Sequence, residues 1–230
     1  MKNLTVIIPF YNEEKFIEES LLRVIESNIA DEIILIDDGS TDNSFNIVKD
    51  IIDSISYVKF IKNNNNFGKG NALNSARKYI NTSHVVIHDA DLEYNPRDIL
   101  KMVEKSKFSP NSLILGSRFK GHITRKNLYK RTYYANKLMS LLFSFVHNFK
   151  VSDIATCYKL MPSKFFKNLN VNEKGFSIEV EILAKFLKYN KSIIEVPISY
   201  QGRSYEEGKK IKSIDGIRYI LKTFKYKFLD

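Results

Sequence analysis

Uninterrupted runs of Val, Ile and Leu alternate with amphipathic segments through the first half of the chain. Such runs predict five buried strands, at residues 4–10, 32–38, 57–62, 84–89 and 112–118. The segments between them have apolar residues at helical spacing and predict four helices, at 13–27, 40–54, 68–80 and 95–107. Apolar strands that alternate with helices are typical of a mainly parallel sheet with helices on both faces. The sequence therefore predicts an α/β fold.

The second half of the chain has longer helices and fewer strands. Its apolar spacing predicts helices at 127–148 and 176–190, strands at 156–161 and 192–200, and a basic amphipathic helix at 210–228. Because Pro197 cannot donate a hydrogen bond within a sheet, its strand is expected at a sheet edge. No repeat or linker interrupts this order, so residues 1–230 are expected to form a single domain.

Composition restricts the class of protein and of partner. With 43% hydrophobic and 27% charged residues, the 230-residue chain has the composition of a soluble globular domain. Cys157 is its single cysteine, which excludes an intrachain disulfide or a four-thiolate zinc site and favours a reducing compartment. No signal peptide is expected, and no run reaches the roughly 18 apolar residues of a membrane span. The net charge of +10 favours phosphorylated ligands, acidic lipid surfaces or nucleic acid, although lysines on a solvated surface would give the same charge.

Three acidic residues follow the predicted strand at 84–89, in the stretch HDADLE. Asp89, Asp91 and Glu93 occupy alternate positions, and carboxylates this close resist simultaneous ionisation unless a cation lies between them. Carboxylate oxygens suit Mg²⁺ or Mn²⁺, which also bind the phosphates of a substrate. The alternative interpretation is an acidic loop that caps the next helix. The strand end favours the metal site, because ligands of parallel sheets bind at the carboxyl ends of strands.

The other predicted strands also end in polar or glycine-rich segments. Asp37 and Asp38 are adjacent, so one of them is expected to face the site and accept a hydrogen bond from a ribose or a base; helix capping is the alternative. Gly68 permits an anion to approach a helix N-terminus, although the spacing around it is not that of a Walker nucleotide site. Arg118 can bind a phosphate through two hydrogen bonds. The strand ends together predict a ligand site at this edge of the sheet.

Eight segments of the sequence follow one another in an order that is typical of one enzyme family. They are VIIPFYNEE, IILIDDGSTDNS, NNFGKGNAL, VVIHDADLEYNP, ILGSRFKG, SDIATCYKLMPSKFF, GFSIEVEILAK and IIEVPISYQGRSYEEGKKI. Together they resemble family 2 glycosyltransferases with the GT-A fold, and within that family the dolichyl-phosphate mannose synthase branch, which glycosylates polyprenyl phosphates. The resemblance extends from residue 4 to about residue 225. It implies a nucleotide-sugar-binding half at 1–120 and a half at 121–230 that faces the acceptor and the membrane.

The resemblance implies roles for individual residues on the donor side. The nucleotide-sugar pocket would be lined by Pro9, Tyr11, Asn12, Glu13, Gly68, Lys69, Asp89 and Ala90, with Asp37 or Asp38 at the base. A divalent ion, Mg²⁺ or Mn²⁺, would be held by Asp91 and Glu93, with Asp89 shared between the metal and the ribose. Such an ion would neutralise charge on the departing nucleotide diphosphate.

On the acceptor side, the resemblance implies that arginines bind phosphate. The phosphates of the donor and of the lipid acceptor would be held by Arg118, Arg131 and Arg203. The catalytic residues would be Asp91, Arg118 and Arg131, and the sugar or acceptor side would be shaped by Asp153, Thr156 and Glu179. The chain has no tryptophan and so lacks the Q-x-x-R-W motif of processive relatives, which disfavours a polysaccharide synthase.

The implied activity is inverting transfer of a sugar from GDP-mannose or a UDP-hexose to dolichyl or undecaprenyl phosphate. Transfer to a sugar hydroxyl in cell-surface glycan synthesis is the alternative, and a basic binding module on an inactive transferase scaffold is a third hypothesis. The lipid acceptor implies a cytoplasmic protein on the cytosolic face of a membrane, docked directly or through a membrane-embedded subunit, with no nucleic-acid partner. The helices at 127–148 and 210–228 are the candidates for membrane contact, and packing of both apolar stripes on the core is the alternative.

Overall fold

Strands and helices alternate along the computed structural model, which describes residues 3–121, 125–126, 129–203 and 213–229. The strands are β1 (Leu4–Phe10), β2 (Glu32–Asp37), β3 (Val58–Lys62), β4 (His84–Ile87), β5 (Leu113–Ser117), β6 (Arg125–Lys126), β7 (Lys159–Pro162), β8 (Ile193–Pro197) and β9 (Tyr200–Gln201). The helices are α1 (Ile17–Glu26), α2 (Ser44–Ser54), α3 (Lys69–Ala76), α4 (Asp98–Phe108), α5 (Lys130–His147), α6 (Ser163–Asn168), α7 (Ile178–Tyr189) and α8 (Ser213–Phe228). A 3₁₀ turn, Arg77–Tyr79, follows α3.

A seven-stranded sheet with the order β3-β2-β1-β4-β7-β5-β8 forms the centre of the protein. All of its neighbouring pairs are parallel except those of β7, which runs antiparallel to β4 and to β5. The start of β7 therefore lies at the edge where the parallel strands end, and we call this the carboxyl edge. The predicted α/β fold with a mainly parallel sheet is confirmed.

The sheet is covered on both faces because its strands carry apolar side chains on both. Along β2, Ile34 and Ile36 pack into one core cluster, whereas Ile33 and Leu35 pack into another on the opposite face. Successive side chains of a strand point to opposite faces, so an unbroken apolar run fills both clusters. Helices α3, α5, α6, α7 and α8 contribute to the first cluster, and α1, α2 and α4 contribute to the second.

Several predicted boundaries differ from the observed ones. Strand β4 ends at Ile87 rather than at residue 89, and the chain then turns, with Leu92 at a φ of 59°. Strand β7 starts at Lys159 rather than at residue 156, and the short helix α6 was not predicted. Strand β8 stops at Pro197, at the sheet edge where the proline predicted it. The predicted helix starts at 127 and 210 lie outside the described residues.

Strands from both halves of the chain build the same sheet. Strand β7 lies between β4 and β5, and β8 extends the sheet beyond β5. The segment between β8 and α8 begins with β9, which pairs with β6 in a small parallel ladder. Across the part of the chain that the structure describes, no helix combines the length and apolarity needed to span a bilayer.

Candidate active site

A cavity of about 330 Å³ opens at the carboxyl edge of the sheet. Most of the residues that the sequence predicts for the site line it, namely Pro9, Tyr11, Glu13, Asp38, Gly68, Lys69, Asp89, Ala90, Asp91, Glu93, Arg118, Glu179 and Arg203. They come from segments far apart in the chain, because parallel strands bring their ends to one edge. The cavity is therefore the candidate active site.

Five other predicted residues lie near this cavity without lining it. Asn12 is exposed and its Oδ1 accepts a hydrogen bond from Thr41 N at 2.8 Å, which ties the loop after β1 to the loop after β2. The other four are the buried residues Asp37, Asp153 and Thr156 and the exposed Arg131 at the start of α5. Their predicted roles in binding therefore stay predictions.

Asp38 is the member of the Asp37–Asp38 pair that lines the cavity. Its carboxylate accepts hydrogen bonds from Asn63 Nδ2 at 2.8 Å and from Gly68 N at 2.7 Å. Burial raises the pKa of Asp38 above its ordinary value, although these hydrogen bonds oppose the rise. Gly68 has a φ of +89°, and a Cβ there would lie 2.5 Å from the Lys174 carbonyl oxygen. Only glycine fits this turn, which leads directly into α3.

Four side chains of alternating charge run from the sheet interior to the cavity wall, and we call them the charge chain. Lys159 Nζ donates to Glu179 Oε2, Lys69 Nζ lies 2.9 Å from Glu179 Oε1, and Lys69 Nζ also lies 2.7 Å from Asp89 Oδ1. Although burial acts to lower it, Asp89 and Glu179 hold the pKa of Lys69 well above its usual range. Burial likewise acts to raise the pKa of Asp89, but the Lys69 ammonium holds it below the ordinary value.

The acidic turn after β4 is held by residues from the opposite wall. Glu93 accepts hydrogen bonds from Tyr200 OH at 2.6 Å and from Arg203 N at 2.8 Å. Arg203 Nε donates to the Asp91 carbonyl at 2.7 Å, and its Nη2 lies 3.1 Å from Glu13 Oε2. Burial, followed by repulsion from the carboxylates of Glu93 and Asp89, raises the pKa of Asp91 to about 8.

The three predicted metal ligands are not gathered into one group. Within the described residues, no three Asp, Glu, His or Cys side chains are arranged to share an ion. Asp89 is paired with Lys69, and Glu93 accepts from Tyr200 and Arg203. Asp91 forms no ion pair with any other described residue. Mg²⁺ or Mn²⁺ commonly binds through one or two carboxylates and substrate phosphates. Asp91 therefore fits as a ligand, whereas a set of three convergent carboxylates is not what the structure contains.

Arg118 is fixed at the end of β5 by a buried partner. Its Nε and Nη2 each lie 2.8 Å from a carboxylate oxygen of Asp153, whose Oδ2 also accepts from Arg118 N at 3.0 Å. Burial acts to lower the pKa of Arg118, but Asp153 holds it well above its usual range. The guanidinium also lies over the Tyr200 ring, 4.9 Å from its centroid. Because the pair uses Nε–H and one N–H of Nη2, three of the five N–H donors of the guanidinium are left for a phosphate in the cavity.

The comparison with protein families identifies the chain. Residues 5–169 match the model of the family described as Glycosyl transferase family 2. The chain belongs to glycosyl transferase family 2. The family and the enzyme class that the sequence motifs predicted are both confirmed.

Two curated relatives of this family 2 glycosyltransferase are named for activities on lipid phosphates. The dolichol-phosphate mannosyltransferase of Pyrococcus furiosus is 28% identical over 230 residues, and the match covers 97% of the chain but 64% of that relative. The chain thus spans a little less than two thirds of its length. The UDP-N-acetylglucosamine–dolichyl-phosphate N-acetylglucosaminyltransferase of Methanococcus voltae is 27% identical over 214 residues, which cover 86% of the chain and 85% of the relative.

Solved structures show the same architecture as this glycosyltransferase. Glucosyl-3-phosphoglycerate synthase from Mycobacterium tuberculosis, in complex with Mn²⁺, UDP-glucose and phosphoglyceric acid, aligns with a TM-score of 0.73. The alignment covers 98% of the chain and 79% of the synthase, at 18% identity. This likeness confirms the predicted GT-A fold.

Some cavity residues of the glycosyltransferase were not predicted from its sequence. Tyr94, Tyr200 and Tyr219 line the cavity from three separate segments, and tyrosines in helical or strand patterns give no signal that separates a site from a core. His88, whose role the sequence left open, is buried behind the site and its Nδ1 lies 2.9 Å from Tyr158 OH. Burial lowers the pKa of His88 to about 4, so the ring is neutral at physiological pH.

Proposed function

We propose that this glycosyltransferase moves a sugar from a nucleotide sugar, GDP-mannose or a UDP-hexose, to a polyprenyl phosphate such as dolichyl or undecaprenyl phosphate. The observation that carries the proposal is the composition of the cavity, which is lined both by an acidic turn suited to a metal–diphosphate and by the buried cation of Arg118. Such a cavity suits two phosphorylated reactants. The activities for which the Pyrococcus and Methanococcus relatives are named support a lipid phosphate as the acceptor.

The donor is proposed to bind along the ends of β1, β2 and β4. Asp38 and the N-terminus of α3 would meet the nucleoside, and Lys69 would lie beside the diphosphate. Asp91 would hold Mg²⁺ or Mn²⁺, and the Mn²⁺ bound to the mycobacterial synthase supports such an ion. When bound, the ion would neutralise charge on the departing nucleoside diphosphate.

The acceptor phosphate is proposed to need orientation rather than deprotonation. One of its oxygens forms a bond to the anomeric carbon, while the bond from that carbon to the donor diphosphate breaks and its electron pair leaves with the nucleoside diphosphate. A phosphate monoester has a second pKa of about 6, so it is largely ionised at neutral pH. Arg118 would orient it through the N–H groups that the ion pair leaves unused, because Asp153 fixes the guanidinium. A hydroxyl acceptor would require a base. Asp89 and Glu179 are both paired with Lys69, and Asp91 is the carboxylate proposed to hold the metal.

The test of this function is transfer of a labelled sugar to a lipid phosphate. The protein is incubated with Mg²⁺ or Mn²⁺, a polyprenyl phosphate in detergent and each member of a panel of GDP- and UDP-sugars. Label should enter the organic phase from one donor and return to water after mild acid, because a glycosyl phosphate linkage is acid-labile. A water-soluble, acid-stable product would indicate a hydroxyl acceptor instead, and the absence of any product would contradict the proposal.

We further propose that the protein works on the cytosolic face of a membrane, where its acceptor resides. Helices α5 and α8 share a surface, which we call the docking face, made of Tyr134, Leu138, Leu141, Phe145, Ile217, Leu221, Phe224 and Phe228. Phe145 is 84% exposed, and Leu138 and Leu141 are each 67% exposed. On the inner sides of the same helices, Phe143 and Tyr226 are fully buried. Both inner sides enter the core cluster on the same face of the sheet, and the two helices also contact each other.

The charges around the docking face favour an anionic bilayer as its partner. Helices α5 and α8 carry seven Lys or Arg residues and one acid, Asp215, which is buried beside Arg218. Apolar stripes with basic flanks bind the interface of membranes that contain acidic lipids, and the cytosolic leaflet has a negative surface potential. The same helices reach the cavity through Asn136 and Tyr219, so docking would place the cavity near the lipid.

Glutamates on the docking face should prevent membrane binding without unfolding the protein. The double variant Phe145→Glu with Leu221→Glu places charges at two exposed positions, so we expect at least about tenfold weaker binding to vesicles of phosphatidylcholine and phosphatidylglycerol. Sedimentation with the vesicles measures the binding.

Phe108→Glu is the matched control for this experiment. Phe108 is 85% exposed, but it ends α4, which packs on the opposite face of the sheet, so this variant should bind vesicles as the wild type does. Equal binding by the double variant would contradict docking through this face. If the wild type ignores vesicles and the double variant separates a dimer, a second copy covers the face.

A further inference from the structure

Lys159 is the most deeply buried cationic side chain of the described residues, with 0% of its surface exposed. It lies in β7 opposite Leu115 of β5, on the face of the strand that also bears Met161. It does not line the cavity. A buried ammonium is unfavourable unless it is paired, whereas leucine or methionine at this position would pack without that cost. The stability of the sheet therefore does not explain why a lysine occupies this position.

The partners of Lys159 connect it to the cavity. Its ammonium donates to the carbonyl oxygen of Thr156 and to one carboxylate oxygen of Glu179, in the first turn of α7. The other oxygen of Glu179 accepts from Lys69 at 2.9 Å, and Lys69 contacts Asp89 at 2.7 Å. The charge chain thus joins four elements that are distant in sequence, and its cavity end is the segment just after β4.

Solvent exposure increases steadily along the charge chain. The exposed fraction of the side chain is 0% for Lys159, 5% for Glu179, 20% for Lys69 and 28% for Asp89. The inner end is held rigidly by packing and the outer end meets the ligand space. A group that is fixed by a buried partner loses less freedom when a ligand binds to it.

We propose that Lys159 is a positioning residue for donor binding. Its ammonium fixes the Glu179 carboxylate, and Glu179 then holds the Lys69 ammonium beside Asp89 at the wall of the cavity. This inference rests on the proposed function in one respect, that the cavity is the donor pocket. Without Lys159, Lys69 is the one cation of the charge chain that remains to pair with the buried Glu179 carboxylate. Lys69 is then drawn inward, away from Asp89 and from the donor diphosphate.

Two substitutions test this role, because their effects on nucleotide binding should not be additive. Lys159→Met keeps the length of the side chain and removes its charge, and Glu179→Gln removes the carboxylate. Each should weaken binding of the preferred nucleotide, UDP or GDP, by about tenfold, the lower end of what outer-shell partners of a binding site contribute. The double variant should bind no more weakly than Glu179→Gln alone, because Lys159 acts through Glu179. Calorimetric titration with UDP and with GDP measures these dissociation constants without any acceptor.

Met161→Ala is the matched control, because it removes buried volume from the same strand and the same face. It should lower the melting temperature and leave the dissociation constant unchanged. If Lys159→Met does not fold, Lys159→Gln replaces it, because an amide can still donate to the Thr156 carbonyl oxygen or to Glu179 but carries no charge; it should weaken nucleotide binding in the same way, and normal binding would overturn the role.

The outcomes separate this inference from the proposed function. A double variant in which the two losses of nucleotide affinity multiply would overturn the positioning role. A Lys159→Met protein that is less stable but binds nucleotide normally would also overturn it. Failure of the wild type to glycosylate any lipid phosphate, with UDP or GDP binding intact, would overturn the proposed acceptor alone. Failure to bind either nucleotide would overturn the donor pocket and with it the role of Lys159.

Discussion

Replacing Asp91 by asparagine should reduce sugar transfer by about a hundredfold or more, the loss typical of removing one electrostatic group from a reacting centre. Asparagine keeps the size of the side chain and the acceptor oxygen that meets Glu93 N at 3.1 Å, but it removes the charge that would bind a divalent ion. The Mn²⁺-dependent rise in melting temperature should disappear together with the activity. Stability without metal should not fall, because the change relieves repulsion from Glu93 and Asp89.

The control for Asp91→Asn is another acid at the same edge of the sheet. Glu14 is exposed in the loop after β1 and does not line the cavity, so Glu14→Gln should keep both the transfer rate and the response to Mn²⁺. Steady-state kinetics and thermal unfolding with and without Mn²⁺ measure the two effects. An Asp91→Asn protein that still responds to Mn²⁺ would show that the ion, if used, is held elsewhere.

The second large effect concerns stability and comes from Asp153. Its carboxylate is fully buried and is the bidentate partner of Arg118, so Asp153→Ala would leave a guanidinium buried without its counter-ion. We expect the free energy of unfolding to fall by about 3–5 kcal/mol, as when one member of a buried ion pair is removed. Urea denaturation measures the loss.

Replacing both partners separates the stability of this pair from its function. The double variant Arg118→Met with Asp153→Leu should recover most of the stability, because apolar residues replace a buried pair without leaving a charge. Transfer should remain impaired, since Arg118 is the proposed phosphate ligand. As a control, Glu19→Gln in the exposed Arg23–Glu19 pair of α1 should change stability by about 1 kcal/mol or less. Wild-type stability in Asp153→Ala would contradict this account of the pair.

The fold was predictable because each strand of the first half is indicated by its own short run of apolar residues. An apolar run such as β2 can be read from six neighbouring residues, and alternation with helices implies parallel strands. The carboxyl edge follows from that arrangement, which is why the sequence alone predicts one site for Asp91, Arg118 and one member of the pair Asp37–Asp38; the structure shows that Asp38 is the member that lines the cavity. The adjacent Asp37 differs only in the direction of its side chain, which depends on where β2 ends.

The partners of the site residues were not predictable, because they depend on the direction of β7. Nothing in the sequence of Lys159–Pro162 indicates that this strand is inserted backwards between β4 and β5. The reversal brings Asp153 under Arg118 and Lys159 beside Glu179. Likewise, the spacing of Asp89, Asp91 and Glu93 indicated a cation. The cation that meets Asp89 is Lys69, whereas Glu93 accepts from the hydroxyl of Tyr200 and the backbone N–H of Arg203. Contacts between residues this distant in sequence have no local signal.

The inserted strand also affects the order in which the sheet can assemble. In a chain emerging from the ribosome, β5 has neither of its final neighbours until β7 and β8 have been synthesised, and β4 lacks one. Until then, the apolar edges of β4 and β5 are open to pairing with other chains. Pairings such as His84 with Pro162 and Leu113 with Ile193 close long loops, which slows folding. The first 120 residues carry most of the side chains that we propose for nucleotide binding, yet they cannot complete their own sheet.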